Sequence, residues 1–203
     1  MKLYYSPGAC SLASHIALHE SGLPFTAIKA PTKTKQLPDG SDYRLINPLG
    51  YVPLLELDDG TRLTEGPAIM QYVADQAPAK ALAPAAGTLA RYQLMGWLNL
   101  IATELHKGGF GIFFNPTAND EFKAAARDKL AGRLAWVNEQ LEGRTWLMGE
   151  AFSVADGYLF TVTNWAKPTG VDLSPYPRLL AWRERMAARA GVQAAMQAEG
   201  LLG

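Results

Sequence analysis

The feature that most constrains the fold of this chain is a hairpin that runs directly into a helix. Pro53 cannot donate a hydrogen bond within a sheet, so it belongs at the start of a short strand or in the turn before it. The Asp-Asp-Gly run at 58–60 predicts a hairpin turn, and residues 61–63 predict the return strand. Residues 64–66 then open an amphipathic helix. Its apolar positions have helical spacing and are Ile69, Met70, Val73 and Ala74.

Two groups suited to a small peptide lie side by side in this arrangement. The extended backbone at Val52 can pair with a short peptide, and the unpaired N–H groups at Glu65 and Gly66 suit a carboxylate. An ordinary hairpin and helix cap would show the same pattern. The hypothesis from this stretch alone is a site for a small, extended peptide acid.

The chain before the hairpin has the pattern of a strand, a helix and a second strand. Residues 3–5 predict the first strand, residues 10–22 the helix, and residues 25–28 the second strand. Two strands joined in this way form a right-handed parallel crossover. With the hairpin and its helix, the crossover predicts an α/β domain of the order βαβ–ββα over residues 1–80, in which residues 33–44 form a polar loop.

The second half of the chain is predicted to be entirely helical. Residues 78–87 are rich in Ala, Pro and Gly and predict a linker. Helices are predicted beyond it at 88–110, 118–141, 157–165, 176–190 and 192–199. The apolar face of the second of these consists of Phe122, Leu130, Leu134 and Val137. Ser153 and Asp156 predict a capping box before the third. The expected second domain is therefore all-α and covers residues 88–203.

Charge and cysteine content exclude several classes of protein. Basic and acidic residues number 19 each, so a net charge of zero gives no support for a nucleic-acid or anionic-membrane partner. The single cysteine, Cys10, excludes an intramolecular disulfide and a multi-cysteine metal site. No apolar run reaches the length of a membrane span, and residues 1–5 lack a signal-peptide core. We therefore expect a cytoplasmic protein without a membrane partner.

Cys10 is the first candidate catalytic residue. It lies in the first turn of the first predicted helix, where the helix N-terminus stabilises a thiolate, the reactive form of cysteine. A buried, inert cysteine would also suit this position. The small residues at 6–9 favour an accessible helix end.

The three histidines give a weaker signal. His106 lies in a predicted helix, where a lone histidine can be a catalyst or an ordinary surface or core residue. His15 and His19 lie one helical turn apart, but no third ligand is indicated. We therefore expect no metal site.

Five segments in the correct order resemble the cytosolic glutathione transferases, specifically the bacterial beta class, and the likeness spans essentially the whole chain. The segments are residues 6–12, 47–53, 63–66, 102–108 and 152–156. The resemblance implies a thioredoxin-like N-terminal domain that binds glutathione and an all-helical C-terminal domain that binds the electrophile. It also implies a homodimer, with glutathione as co-substrate and no other cofactor.

For the first domain, the resemblance implies four contacts with glutathione. In the family, the residue before a cis-proline pairs its backbone with the cysteinyl part of glutathione, and Val52 before Pro53 matches it. The Glu-Gly pair at a helix start, here Glu65 and Gly66, holds the γ-glutamyl end. The cysteine near the glutathione sulfur is matched by Cys10.

The fourth contact and those of the second domain are also implied by the resemblance. A lysine of the polar loop contacts the glycyl carboxylate, and Lys35 matches it best, although Lys33 is close by. The matching residues of the second domain are Asn99, Thr103, Glu104, His106 and Lys107. Asn99 and Thr103 match positions that reach across the dimer interface to the neighbouring glutathione. Together with Cys10, His106 is an implied catalytic residue, either as a donor or as a base.

Aromatic residues of the helical half are the candidates for the electrophile pocket. They are Phe110, Phe113, Phe114 and Trp165, each of which could instead pack in the core. The predicted reaction adds the glutathione thiolate to small hydrophobic electrophiles, as in detoxification. Two alternatives stay open: a glutathione-dependent thiol transferase or reductase that uses Cys10, and a non-enzymatic regulatory module on the same fold.

Overall fold

The computed structural model describes residues 1–202, which form two compact units. The first unit consists of Met1–Ala83 together with the chain from Ala188 onward, and the second is Pro84–Ala187. The change between units after Ala83 falls inside the linker predicted at 78–87. The last helix belongs to the first unit, whereas the sequence had placed it in the helical domain. The physical reason is that this helix packs against the first helix of the chain.

The first unit contains a four-stranded mixed sheet. In chain order its strands are β1 (Lys2–Tyr5), β2 (Thr26–Lys29), β3 (Leu54–Glu56) and β4 (Arg62–Thr64), and their spatial order is β2-β1-β3-β4. β1 and β2 are parallel, whereas β3 is antiparallel to both β1 and β4. This is the predicted βαβ–ββα order. Because Leu54 is paired with Thr64, the residues just before β3 lie next to those just after β4.

Three helices accompany the sheet of the first unit: two pack against the sheet, and the third packs against one of these two. They are α1 (Ser11–Ser21), α2 (Gly66–Gln76) and α9 (Ala190–Ala198), and short 3-10 turns occur at Tyr43–Leu45 and Pro78–Lys80. α1 ends at Gly22, which has φ 70°, a left-handed conformation that favours glycine. α1 packs against both α2 and α9. The apolar side of α9 is buried at Val192 and Ala195, so α9 completes the first unit.

The second unit is all-helical, as predicted. Its elements are α3 (Leu89–Leu100), a π-helical segment (Ile101–Phe110), α4 (Gly111–Phe113), α5 (Asp120–Gln140), α6 (Val154–Thr163), α7 (Ala166–Thr169) and α8 (Pro177–Ala187). Every residue of α6 is buried, which makes it the centre of this unit. The capping box at its start is confirmed, because Ser153 donates from both N–H and Oγ to Asp156 at 2.9 Å. Trp182 Nε1 also donates to this buried carboxylate, at 3.0 Å.

Two predictions about the helical unit were wrong in detail. The helix predicted at 88–110 changes after Leu100 into a π-helical segment, which has glycines at positions where a Cβ would meet the backbone of the preceding turn. A Cβ on Gly108 would lie 2.5 Å from the Thr103 carbonyl oxygen. Phe122 is 54% exposed and does not face the core, whereas the other three residues assigned to that face are buried. None of the helices within residues 1–202 combines the length and the apolar character that crossing a membrane requires.

Candidate active site

Cys10 lies in a tightly bonded loop between β1 and α1. The Ala9 N–H donates to the Ser6 carbonyl at 3.0 Å, and the Ser6 N–H donates to Ser11 Oγ at 3.1 Å. Cys10 is partly exposed at the N-terminal end of α1. Its Sγ donates to the Val52 carbonyl oxygen at 3.2 Å, a contact that uses the thiol form. The cysteine is thereby placed directly against the residue before Pro53.

The Val52-Pro53 peptide bond is cis, as the family pattern implies. Among residues 1–202, no group accepts a hydrogen bond from the Val52 N–H, so this donor is unpaired within the described part of the chain. The carbonyl just before it, that of Tyr51, accepts from Tyr43 Oη at 2.8 Å and from Asn47 Nδ2 at 2.8 Å. Both donors are buried, and burial raises the pKa of Tyr43 to about 12, so its hydroxyl stays protonated. The loop that presents Val52 is therefore fixed from inside.

Sequence reasoning did not identify Tyr43 and Asn47 as supports of this loop. Asn47 lies in the segment at 47–53 that carries the family likeness, so a signal for it was present. Tyr43 gave no such signal, because its contact with Tyr51 depends on how the preceding loop folds back.

Lys35 lies beside the same loop. Its Nζ donates to the Gly50 carbonyl and is 5.9 Å from the centre of the Tyr51 ring. A Cβ on Gly50, which has φ 64°, would lie only 3.2 Å from the Lys35 side chain. Lys35 is thus brought to the chain that leads into Val52. Lys33, the other candidate, is exposed.

The start of α2 lies against the cis-proline. A Cβ on Gly66 would be 3.7 Å from the Pro53 ring and 3.9 Å from Ser14 Oγ. Glu65 precedes the helix with φ 65° and ψ 111°, a conformation that costs a non-glycine residue about 1–3 kcal/mol. Its carbonyl accepts from the N–H groups of Ala68 and Ile69 at 3.0 Å, which leaves the N–H groups of Glu65 and Gly66 outside the helical pattern.

The end of α9 supports the Cys10 loop, which the sequence did not reveal. One carboxylate oxygen of Glu199 accepts from the Gly8 N–H at 2.8 Å, and the other lies 2.9 Å from His15 Nδ1. Both side chains are almost completely buried. His15 stacks on His19 with ring centres 5.0 Å apart. Within residues 1–202, no group of three or more His, Cys, Asp or Glu side chains is arranged to hold a metal ion.

In the helical unit, His106 is the centre of a cluster of aromatic rings. Its Nδ1 lies 2.7 Å from Tyr158 Oη, and its ring packs edge-on against Trp165 with centres 5.0 Å apart. Phe114 packs edge-on against Trp165, with ring centres 5.8 Å apart. Burial, and secondarily the charge of Lys107, lowers the pKa of His106 from 6.5 to about 4. The imidazole is therefore neutral at neutral pH.

The four aromatic candidates for the electrophile pocket are not all together. Trp165 and Phe114 share the His106 cluster, and Phe114 is 52% exposed. Phe110 is fully buried, so its side chain is part of the core. Phe113 packs instead under the Arg127 guanidinium, 4.8 Å from its ring centre.

The remaining candidates lie along α3 and the π-helical segment. Thr103 Oγ1 donates to the Asn99 carbonyl at 2.9 Å, and both residues are exposed, as is Lys107. The Glu104 carboxylate forms ion pairs with two basic side chains of α5, at 2.9 Å and 3.0 Å. Hydrogen bonds from these cations lower the pKa of Glu104. Its carboxylate is thus occupied within the helical unit.

The fold and the site in the first unit define a class of protein: a thioredoxin-like sheet with a cis-proline loop, joined in one chain to a helical unit. Family models agree with this class. Residues 8–76 match the N-terminal domain of glutathione S-transferases, and residues 101–190 match the C-terminal domain. The chain belongs to the glutathione S-transferase family.

Individual relatives support the assignment over the whole length. The chain is 49% identical to the glutathione S-transferase GstA of Escherichia coli O157:H7, over 99% of this chain and 100% of the relative. BphK, a bacterial glutathione transferase whose structure was solved as a ternary complex, is 54% identical in sequence to this chain. The two structures superimpose with a TM-score of 0.96 over 99% of this chain and 100% of BphK. The beta-class enzyme of Sphingomonas chungbukensis is 46% identical with a TM-score of 0.95, covering both chains completely. The beta-class resemblance is therefore confirmed.

Proposed function

We propose that the first unit binds glutathione as an extended peptide, and that the enzyme adds its thiolate to small hydrophobic electrophiles. One observation carries the proposal. Cys10 Sγ is bonded to the Val52 carbonyl, and the start of α2 packs on Pro53, so a thiol, an open backbone donor and a helix N-terminus adjoin one another. These groups complement an anionic tripeptide that carries a thiol.

Each part of glutathione has a proposed partner. The Val52 N–H pairs with the cysteinyl residue, in the manner of a strand added to a sheet. The N–H groups of Glu65 and Gly66, at the positive end of α2, hold the γ-glutamyl end. Lys35 holds the glycyl carboxylate, since its ammonium group already lies beside the loop that leads to Val52.

The catalytic requirement is to ionise the glutathione thiol at neutral pH. Lowering the pKa of that thiol from roughly 9 to roughly 7 corresponds to about 2.7 kcal/mol. One or two hydrogen-bond donors can supply this stabilisation. We assign the donor roles to Cys10 and, from the family resemblance, to His106, with Lys107 adding positive potential. When glutathione binds, the Cys10 S–H no longer donates to the Val52 carbonyl and donates instead to the glutathione sulfur.

Trp165 and Phe114 are proposed to receive the electrophile, because they form an aromatic surface next to His106. Phe110 is not assigned to this pocket, because its side chain is buried in the core. Phe113 is not assigned to it either, because its ring packs against the Arg127 guanidinium. We therefore propose that the helical unit, Pro84–Ala187, binds the electrophile. It is the electrophile-binding domain expected at residues 88–203, except that α9 is not part of it.

We propose that the enzyme is a homodimer that works in the cytoplasm, where glutathione keeps thiols reduced. Large apolar side chains are exposed along one side of α3: Leu89 by 74%, Tyr92 by 61% and Met95 by 37%. Asn99 lies on the same side, so this surface can bring it and Thr103 to a neighbouring subunit. Light scattering tests the proposal, and Tyr92→Asp should shift the mass towards that of the monomer.

Calorimetric titration with glutathione is the direct test of the site. We expect saturable binding at millimolar ligand, and Lys35→Met should weaken it about tenfold through loss of a charged hydrogen bond. Lys33→Met is the matched control, because it removes the same charge from an exposed neighbour. Absence of any binding heat, or equal losses in the two variants, would contradict the proposed site.

Cys10→Ala tests the thiol transferase alternative. If Cys10 acts only as a donor, conjugation should fall about tenfold or less, and reduction of glutathione mixed disulfides should be negligible in both proteins. Loss of a substantial disulfide-reducing activity in the variant would instead assign Cys10 to thiol–disulfide exchange. Position 13 is Ala13, so a second cysteine cannot complete a dithiol cycle.

A further inference from the structure

The hydroxyl of Tyr158 holds the imidazole of His106. We infer that Tyr158 is a positioning residue that keeps the His106 proton on Nε2, so that His106 acts in the reaction as a hydrogen-bond donor and not as a base. The inference deepens the proposed function and rests on the role that it gives to His106.

The pair is held rigidly. Tyr158 lies in α6, whose residues are all buried, and is only 3% exposed. Its ring meets that of His106 edge-on, with an angle of 89° between the ring planes. Trp165 also packs against the imidazole. These contacts hold the imidazole with Nδ1 towards the phenol.

The chemistry of the two groups indicates which one donates. Nδ1 and Oη are 2.7 Å apart, a hydrogen-bond distance that either direction of donation allows. An oxygen lone pair of a phenol is conjugated with its ring, so a phenol donates better than it accepts. An unprotonated imidazole nitrogen is a good acceptor. Tyr158 therefore donates to Nδ1, and the single proton of the neutral imidazole is on Nε2.

The Nε2 atom faces the surface of the helical unit. Within residues 1–202, the fully buried side-chain nitrogen and oxygen atoms that lack a partner are Ser14 Oγ and His19 Nε2. His106 Nε2 is not one of them, and no described residue bonds to it, so it is accessible. An accessible N–H can donate to a developing thiolate, whereas a base would need an unprotonated nitrogen there.

Tyr158→Phe tests the inference, because it keeps the ring packing and removes only the hydroxyl. With glutathione and 1-chloro-2,4-dinitrobenzene as substrates, we expect kcat to fall about tenfold and KM for glutathione to change less than about twofold. Tyr176→Phe is the matched control: it removes the hydroxyl of another buried tyrosine of the same unit, which donates to the Ala131 carbonyl at 3.1 Å. An unchanged kcat in Tyr158→Phe would overturn the inference.

His106→Gln separates a donor from a base. Glutamine can place an amide N–H near the Nε2 position but cannot take up a proton. A donor role predicts that kcat falls no more than about tenfold, and that adding Tyr158→Phe to this variant costs nothing further. A base role predicts a loss of about a hundredfold or more, which would contradict the inference.

Nitrogen NMR of protein labelled at histidine reads the tautomer directly. We expect His106 as the Nε2–H form in the native enzyme and a mixture of both forms in Tyr158→Phe, with the signal assigned by its loss in His106→Gln. A native Nδ1–H form in an enzyme that conjugates glutathione would overturn the inference alone. Failure to bind glutathione, with the Nε2–H form intact, would overturn only the proposed function.

Discussion

Burial of His106 should make the stability of this protein depend on pH in a definite direction. The imidazole pKa is 6.5 when exposed and about 4 in the folded chain, so the unfolded chain binds the proton more tightly. Above pH 6.5 both states are neutral at this position, and the full stability is present. As the pH falls from 6.5 towards 4, protons bind only to the unfolded state, and the free energy of unfolding must decrease.

The size of this decrease follows from the two pKa values. At pH 5, unfolding is accompanied by uptake of nearly one proton at His106. Each such proton changes the free energy of unfolding by about 1.4 kcal/mol per pH unit. Between pH 7 and pH 5, protonation at His106 alone should therefore lower the free energy of unfolding by about 2 kcal/mol. This is a substantial part of the roughly 5–15 kcal/mol that is typical of folded proteins.

Urea unfolding followed by tryptophan fluorescence measures this effect, in wild type and in His106→Gln at one protein concentration. Other shifted groups, such as His19 and Asp156, are common to both proteins and cancel in the difference. We expect the wild type to lose about 2 kcal/mol more than the variant between pH 7 and pH 5. Tyr158→Phe keeps the imidazole and should keep most of the effect. Equal losses in wild type and His106→Gln would refute the reasoning.

Three further predictions concern other parts of the molecule. Ser14→Ala should raise the free energy of unfolding by about 1 kcal/mol in urea titrations, because the Ser14 hydroxyl is buried without a partner among residues 1–202; a loss of stability would show that it has one. Gly108→Ala should lower stability by about 2 kcal/mol or more, since its Cβ would meet a carbonyl, whereas Gly132→Ala, with open space around it, should be neutral or stabilising. Asn47→Ala should weaken glutathione binding about tenfold in calorimetry by loosening the loop at Val52, and unchanged affinity would contradict that role.

The sequence by itself determined the elements that depend on neighbouring residues. Gly22 ends α1, the turn at 58–60 closes the hairpin, and Ser153 with Asp156 starts α6, because each signal acts within a few residues. The loop at Val52 and Pro53 and the start of α2 were predicted to adjoin one another for the same reason. They lie at the two ends of one short hairpin, whose pairing leaves them no other arrangement.

Tertiary structure alone decided the contacts between distant parts of the chain. Glu199 lies 191 residues from Gly8 and bonds to it, and Tyr158 lies 52 residues from His106. Hydrophobic periodicity shows that one face of a helix is apolar, but it does not show which other element that face packs against. Phe110 was therefore expected at a pocket, and α9 in the wrong unit. A local pattern fixes the conformation of a segment, whereas the partner of a buried group is set by how all segments pack.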